Sequence, residues 1–295
     1  MTAQDFSSRD DVVNHNVYAS VRRRDGLPQE LFANYWRDVH ATLCSRLPGL
    51  NFYVQQHFDR NHYANFWPMA EGVRRINAKL DGSAELGFAN LEQQAIFAEA
   101  GTILYHDEAN FIGEAVAYNL RSGSLTLIDK DENASRNGAD PFHRIHLYMS
   151  RKRGKDTTAW LTETSTALSQ HDSVIKWKLH LLDPYDNNRP APPSPNVEHY
   201  VEEDRLNLAV AEIAFSSPLA AQSLFSSRIF KEVHAAQAQH VGAIGVYLVK
   251  GFYTFVRDGC PTLAGLRGSR VAELITELGA TNQLDEKVMA RFASR

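Results

Sequence analysis

Cysteine is scarce in this chain of 295 residues: only Cys44 and Cys260 are present, far apart and outside any metal-ligand spacing. Neither a secreted disulfide framework nor a cysteine metal site is indicated. Positive charge is not in excess either, with 31 Lys and Arg against 35 Asp and Glu. A net charge of −4 argues against a nucleic-acid partner, which would require a basic face. The stretches SVRRRDG (20–26) and SRKRG (150–154) are basic, but each is short and ends a strand-like run, so they read as solvated clusters. No apolar run is long enough to span a membrane, and MTAQDFSSRDDVVNH at the start lacks the apolar core of a signal peptide. The expectation is a cytoplasmic protein without a membrane partner. A glycine-rich dinucleotide fingerprint, a phosphate loop and a G-x-S-x-G elbow are also missing, which removes NAD, ATP and serine-hydrolase chemistry. What is present is globular: 43% apolar and 22% charged residues, enough chain for one large domain or two ordinary ones.

An internal repeat organises the chain. VYASVRRRDG (17–26) aligns without a gap on IHLYMSRKRG (145–154), each an alternating strand running into a basic glycine turn. AELGFANLEQQAIFAE from Ala84 parallels AEIAFSSPLAAQSLFS from Ala211, each a strand entering a helix. The offsets, 128 and then 127 residues, keep register. The first copy reads as strand 17–23, helix 28–46, strands 51–58 and 84–89, helix 91–105 and strand 114–121. The second reads as strand 145–151, helix 156–170, strands 174–182 and 207–215, helix 217–239 and strand 244–256. Pro28 suits the first turn of its helix, where Leu31, Phe32, Tyr35, Trp36, Val39 and Leu43 form an apolar stripe. LPGL (47–50) stops it. The segment 129–141 reads as a linker, 187–196 as a Pro-rich loop, and 262–279 as an added C-terminal helix.

The order β-α-β-β-α-β is the ferredoxin-like split unit. Both helices of such a unit cover one sheet face, and the bare face must be buried. With two units in one chain, the expectation is an α+β fold: two ferredoxin-like units packed sheet to sheet as an intrachain α/β barrel with a central cavity. The expected boundaries are 1–128, 142–258 and a C-terminal helical extension over 259–295.

The segment RRRDGLPQELFANYWRDVHATLCSRLPGLNFYVQQHF, followed by LDGSAELGFANLE and YHDEANFIG, resembles the EthD family of dimeric α/β-barrel proteins. The resemblance runs from about Val17 to Leu120 and includes the W-R-x-x-H-A helix step, the Y-V-Q-x-H strand and the D-E-A-x-F segment. The second half keeps the layout and loses the signature: Thr164 and Leu168 stand where the first has Trp36 and His40. The resemblance implies the same barrel but leaves the chemistry open, since related barrels include cofactor-free monooxygenases, decarboxylases, dehydratases, cyclases and haem enzymes.

Strand alternation sorts the candidates. With Phe52, Val54 and Phe58 assigned to the helix side, Tyr53, Gln55 and His57 should face the interior, joined by Tyr18, Ser20, Arg22, Glu85, His146, Tyr148, Ser150 and Glu212. His57 is the expected acid or base, with Tyr53 as a donor to an oxyanion. His40, one turn beyond Trp36, is either a second acid/base candidate or a packing residue bonded to Asp38, Tyr35 or a backbone carbonyl. The resemblance puts a working role on an equal footing with packing, because this histidine lies in the family motif. His62, Tyr63, Phe66 and Trp67 are expected to form a lid, with Trp36 lining the substrate site. No metal set is convincing: HRIH (143–146) splits across strand faces, and His234 and His240 lie off one helical face. His234 would be the choice for haem. The leading expectation is a cofactor-independent enzyme, a monomer or homodimer, acting by lyase-type acid/base chemistry on an aromatic or polyketide-like small molecule. The alternatives are a ligand-binding accessory protein and a haem-dependent or cofactor-free oxygenase.

Overall fold

The computed structural model describes residues 4–60, 66–154 and 156–292. The first half runs through strand β1 (His15–Arg23), helix α1 (29–44), strands β2 (Phe52–Phe58) and β3 (Gly82–Phe88), helices α2 (Leu91–Ala100) and α3 (Thr102–Glu108), and strand β4 (Ile112–Leu120). Strand β5 (Leu125–Asp129) leads to the second half: β6 (His143–Arg151), α4 (Thr157–Ser169), β7 (Val174–Leu181), β8 (Leu208–Phe215), α5 (Pro218–Ser226), α6 (Arg228–His240) and β9 (Val241–Arg257). Helices α7 (Leu263–Arg267) and α8 (Ser269–Leu278) follow.

Both halves adopt the same strand order, β4-β1-β3-β2 and β9-β6-β8-β7, with antiparallel neighbours throughout. The 17-residue β9 joins them. Its first part pairs with β6, and Val249–Val256 pairs with β2 of the other half. On the opposite margin β5 pairs with β7. The two sheets thus form an α/β barrel with the helices outside. Where β9 leaves β6, its free edge takes up Asn137–Ala139, so the expected linker contributes a short strand.

Two apolar layers lie between helices and sheet, one per half, and a third fills the barrel. On β1 the faces are as alternation requires: Val17, Ala19 and Val21 meet the helices, while Tyr18 joins the interior layer. On β2 they are reversed. Phe52, Val54 and Phe58 face the interior, and Tyr53, Gln55 and His57 face α1. Every residue of β2 is buried, so both faces are covered and polarity carries no information about side.

The interior is not a cavity. Tyr18, His146, Tyr148 and His180 are each fully buried and fill it. Tyr18 Oη bonds His146 Nδ1 (2.7 Å) and Tyr148 Oη (2.9 Å), and Lys178 donates to both oxygens of Glu85 (2.7 and 2.9 Å). Arg144 pairs with Glu212. Tyr18, Tyr148, Glu85, Lys178, Arg144 and Glu212 are engaged with one another or with their neighbours here, while His146 Nε2 and His180 Nε2 have no hydrogen-bond partner among the described residues.

Candidate active site

The geometry of α1 departs from a regular helix where the family-like step lies. Gln29–Tyr35 is α-helical, Trp36–His40 is a π turn, and Ala41–Cys44 is α-helical again. The extra residue in that turn rotates the following side chains, and such turns recur at functional sites. Val39, placed in the apolar stripe by its spacing, is 49% exposed, as Leu31 is at 54%, whereas His40 is 5% exposed. The π turn has exchanged Val39 for His40 on the buried face.

His40 lines a cavity of about 230 Å³ between α1, α2, α3 and the helix side of the first sheet. Its floor is apolar and small: Ala19, Ala84, Ala115 and Ala117, with Val17 and Val21. Its roof is Ala191, Pro192 and Pro193, from the loop between β7 and β8 of the other half. His40, Glu108, Tyr53 and Cys44 form one polar cluster on its wall, and Gln94, Tyr105 and Asn119 also line it, Gln94 bonding Asn119. A concave apolar pocket with a few converging polar groups is the usual form of a small-molecule site.

His40 Nδ1 lies 2.9 Å from Asp107 Oδ2, and Tyr35 Oη donates to Asp107 Oδ1 at 2.6 Å. Burial pulls the Asp107 carboxyl upward, but the hydrogen bonds from His40 and Tyr35 outweigh it and hold the group below the ordinary aspartate value. An ionised Asp107 only accepts, so the proton of a neutral His40 sits on Nδ1. Nε2 has no hydrogen-bond partner among the described residues and is left as an acceptor toward the cavity. Glu108, the next residue, shows the opposite shift: burial raises its carboxyl, only partly offset by the nearby His40 and by the hydroxyl of Ser194, which donates to it. Two adjacent carboxyls are thereby shifted in opposite directions, Asp107 downward and Glu108 upward. Burial also raises the Cys44 thiol, so it is no thiolate nucleophile near neutrality.

The expected residues do not gather in one place. Trp36, His40 and Tyr53 line the cavity. His57 does not. It stacks on Trp36 (4.6 Å, 8° between planes), bonds Gln55 at 3.0 Å, and burial with the nearby Arg37 charge lowers it to about 3. It is a neutral packing residue behind the pocket wall, and Gln55 is spent on Tyr53 Oη and the Trp36 carbonyl. Tyr18, Glu85, His146, Tyr148 and Glu212 belong to the barrel network, with His146 lowered to about 3 by burial. Arg22 sits at the barrel rim, paired with Asp25 and Glu114. Trp67 is not a lid residue. It is 3% exposed and packs in the second half against Trp177, Phe225 and Phe230. His62 and Tyr63 lie outside the described residues.

Asp107, Glu108 and Ser194 were not singled out from sequence. The first two stand in the YHDEANFIG segment, but their meeting with His40 bridges 67 residues and depends on tertiary packing. Glu85, His180 and Glu212 bring one ligand atom each within 4.8 Å of one another. Their carboxylates already bind Lys178, Arg144 and Lys176, whose charges would face any cation placed there. Haem does not fit at His234: that side chain packs on Phe230, and the space behind is filled by Trp67 and Trp177. A larger groove of about 450 Å³ beside α8 is lined by hydroxyls, amides, Glu273 and Glu277 and carries no histidine.

Residues 24–115 match the EthD domain. No curated protein matches the chain. Among solved structures, a Fusobacterium nucleatum protein provisionally assigned as a monooxygenase is 6% identical. It covers 85% of this chain and 97% of its own, with a TM-score of 0.51. An anthrone oxidase-like protein is 9% identical over 85% and 96%, at 0.49. Chlorite dismutase from Candidatus Nitrospira defluvii is 11% identical over 81% and 90%, at 0.38. At such identities the likeness is one of fold. No helix among the described residues is long and apolar enough to cross a membrane.

Proposed function

From a chain whose first repeat carries an EthD domain, we propose an enzyme that abstracts a proton from a hydrophobic small molecule in the first-half pocket. The observation that carries this reading is the His40–Asp107 pair opening on an apolar cavity beside Glu108, whose carboxyl burial raises above the ordinary glutamate value. His40 Nε2 takes a proton from an acidic C–H or O–H of the substrate. Asp107 stabilises the imidazolium through Nδ1–H, and Tyr35 fixes the carboxylate. The electron pair left on the substrate moves to its oxygen, which Glu108 stabilises by hydrogen bonding. In an elimination the enolate expels a β-hydroxyl, the C–O bond breaking as Nε2–H gives its proton to the leaving oxygen. In a decarboxylation His40 takes the O–H proton of a β-keto acid, the C–C bond breaks, CO2 leaves, and Nε2–H returns the proton to the enolate carbon. Elimination and decarboxylation both pass through such an anion, and these are the lyase-type outcomes we favour. The apolar floor and the raised Glu108 support this chemistry, because a dry pocket strengthens each electrostatic contact.

The test uses 2-tetralone, a compact ketone with acidic α-protons, in D2O. Wild-type protein should accelerate α-proton exchange followed by NMR, and His40→Gln should abolish the acceleration. Binding of the ketone without exchange that depends on His40 would replace this reading with that of a ligand-binding protein.

A further inference from the structure

The two halves are the same layer built twice, and the strand registers set their residues in correspondence. In the first, Val21 pairs with Ala115 and Ala19 with Ala117; in the second, Met149 pairs with Ile244 and Leu147 with Val246. Tyr53 opposes Leu86 as Trp177 opposes Ile213. At each of these positions on β1 and β4, the first half carries the smaller side chain. The first-half cavity rests on an alanine floor, and the corresponding floor of the second half is raised by larger side chains.

The loops complete the comparison. In each half the segment between the second and third strands crosses to the opposite half. From the second it brings Pro192 and Pro193 over the first pocket, as a roof that leaves space beneath. From the first it brings Trp67, whose indole is buried between Trp177 of β7 and Phe225 and Phe230 of α5 and α6. In the first half, Tyr53 of β2 and Phe97, Ala98 and Leu104 of α2 and α3 line the corresponding space. The three ring contacts of Trp67 are edge-on, at centroid distances of 6.2, 5.4 and 5.2 Å, a slot shaped for a flat bicyclic ring.

We infer that the first-half pocket receives a fused bicyclic aromatic with a hydroxyl or carbonyl on one edge, and that Trp67 fills the counterpart site as an internal occupant. Size agrees. An apolar cavity of about 150 Å³ holds benzene, and about 230 Å³ beside His40 accommodates a second fused ring. The alanine floor lets the plate reach the sheet, and the polar end at His40 and Glu108 receives its oxygen. The polar edge rests on the acid/base reading above, while the ring shape rests on the floor and on Trp67.

Binding of 2-naphthol and of 1-decanol, which has the same number of carbons, should be compared by calorimetry on the full chain. Naphthol should bind at least about tenfold more tightly, with intermolecular NOEs to the methyls of Ala19 and Ala117. Replacing Ala19→Leu and Ala117→Val installs the side chains of the second half and should weaken naphthol by roughly tenfold or more, the usual scale for overfilling a packed site. Equal or tighter decanol binding, NOEs to other methyls, or a folded double variant that binds unchanged would overturn the proposal. The NOEs, read on the unmodified protein, decide the matter if the variant does not fold. Naphthol binding without His40-dependent tetralone exchange would sink only the catalytic reading. Exchange with no preference for a plate over a chain would sink only this one.

Discussion

Removing Trp67 tests whether the crossing loop is structural, and the cost follows from its surroundings. The indole is 3% exposed and makes three edge-on contacts with Trp177, Phe225 and Phe230. Truncation of a buried aromatic to alanine costs about 3–5 kcal/mol, since the cavity left behind collapses only in part. For a chain of this size about 2 °C of melting temperature accompanies each kcal/mol, so Trp67→Ala should lower the midpoint by roughly 6–10 °C. Trp67→Phe makes the sharper test. The Nε1–H of Trp67 is buried without a hydrogen-bond partner among the described residues, and such a group costs about 1–3 kcal/mol. Phenylalanine loses apolar contact but removes that cost, so it should lie within about 1 kcal/mol of wild type. Thermal and urea unfolding, each with two probes, give both numbers. A loss below about 1 kcal/mol for Trp67→Ala would show that the loop does not seal the second half. A Phe variant as unstable as Ala would show that the indole is held by a bond through Nε1.

Other expectations concern charge. Asp107→Asn should reduce exchange activity by about a hundredfold or more, because the amide no longer selects the Nδ1–H tautomer, and ligand binding should stay within a few-fold. His57, His146 and His180 are each lowered to about 3, mainly by burial. The unfolded chain therefore binds more protons between pH 3 and 6.5, and stability is full above 6.5 and falls as pH drops toward 3. Each histidine should add about 1.4 kcal/mol per pH unit to that slope near pH 5. His180→Gln should flatten it by one such step in denaturant titrations; an unchanged slope would refute the neutral assignment. Lys178→Met leaves Glu85 buried without its cation and should cost about 3–5 kcal/mol, and adding Glu85→Gln should recover part of that loss.

The barrel was legible because its evidence is periodic. Alternation in VYASV and IHLYM, the Ala84 and Ala211 segments, and the strong stops after each helix set the elements within a few residues of their observed ends. The site was less legible, for particular reasons. Assigning Phe52, Val54 and Phe58 to the helix face points His57 inward, but a strand buried on both sides has no solvent-facing set to anchor the choice. His40 was placed at the stripe margin by a period of 3.6, which a π turn at Trp36–His40 does not obey. Trp67 was read as a local lid because nothing in its neighbourhood in sequence indicates that its loop crosses to the other half. Asp107 and Glu108 carried no periodic signal at all, and only the approach of α3 to α1 gives them chemical meaning.

The long strand β9 has a consequence for how the protein is made. The free edge of β2 finds its partner only at Val249–Val256, far later in the sequence. During synthesis the first half therefore presents one unpaired edge of a strand that is paired to β3 on its other side and whose seven residues are all buried in the finished protein. Closure is a late event of high sequence separation, which is slow and exposed to aggregation. Nascent chains stalled before residue 249 should depend on chaperones in a way that the released protein does not.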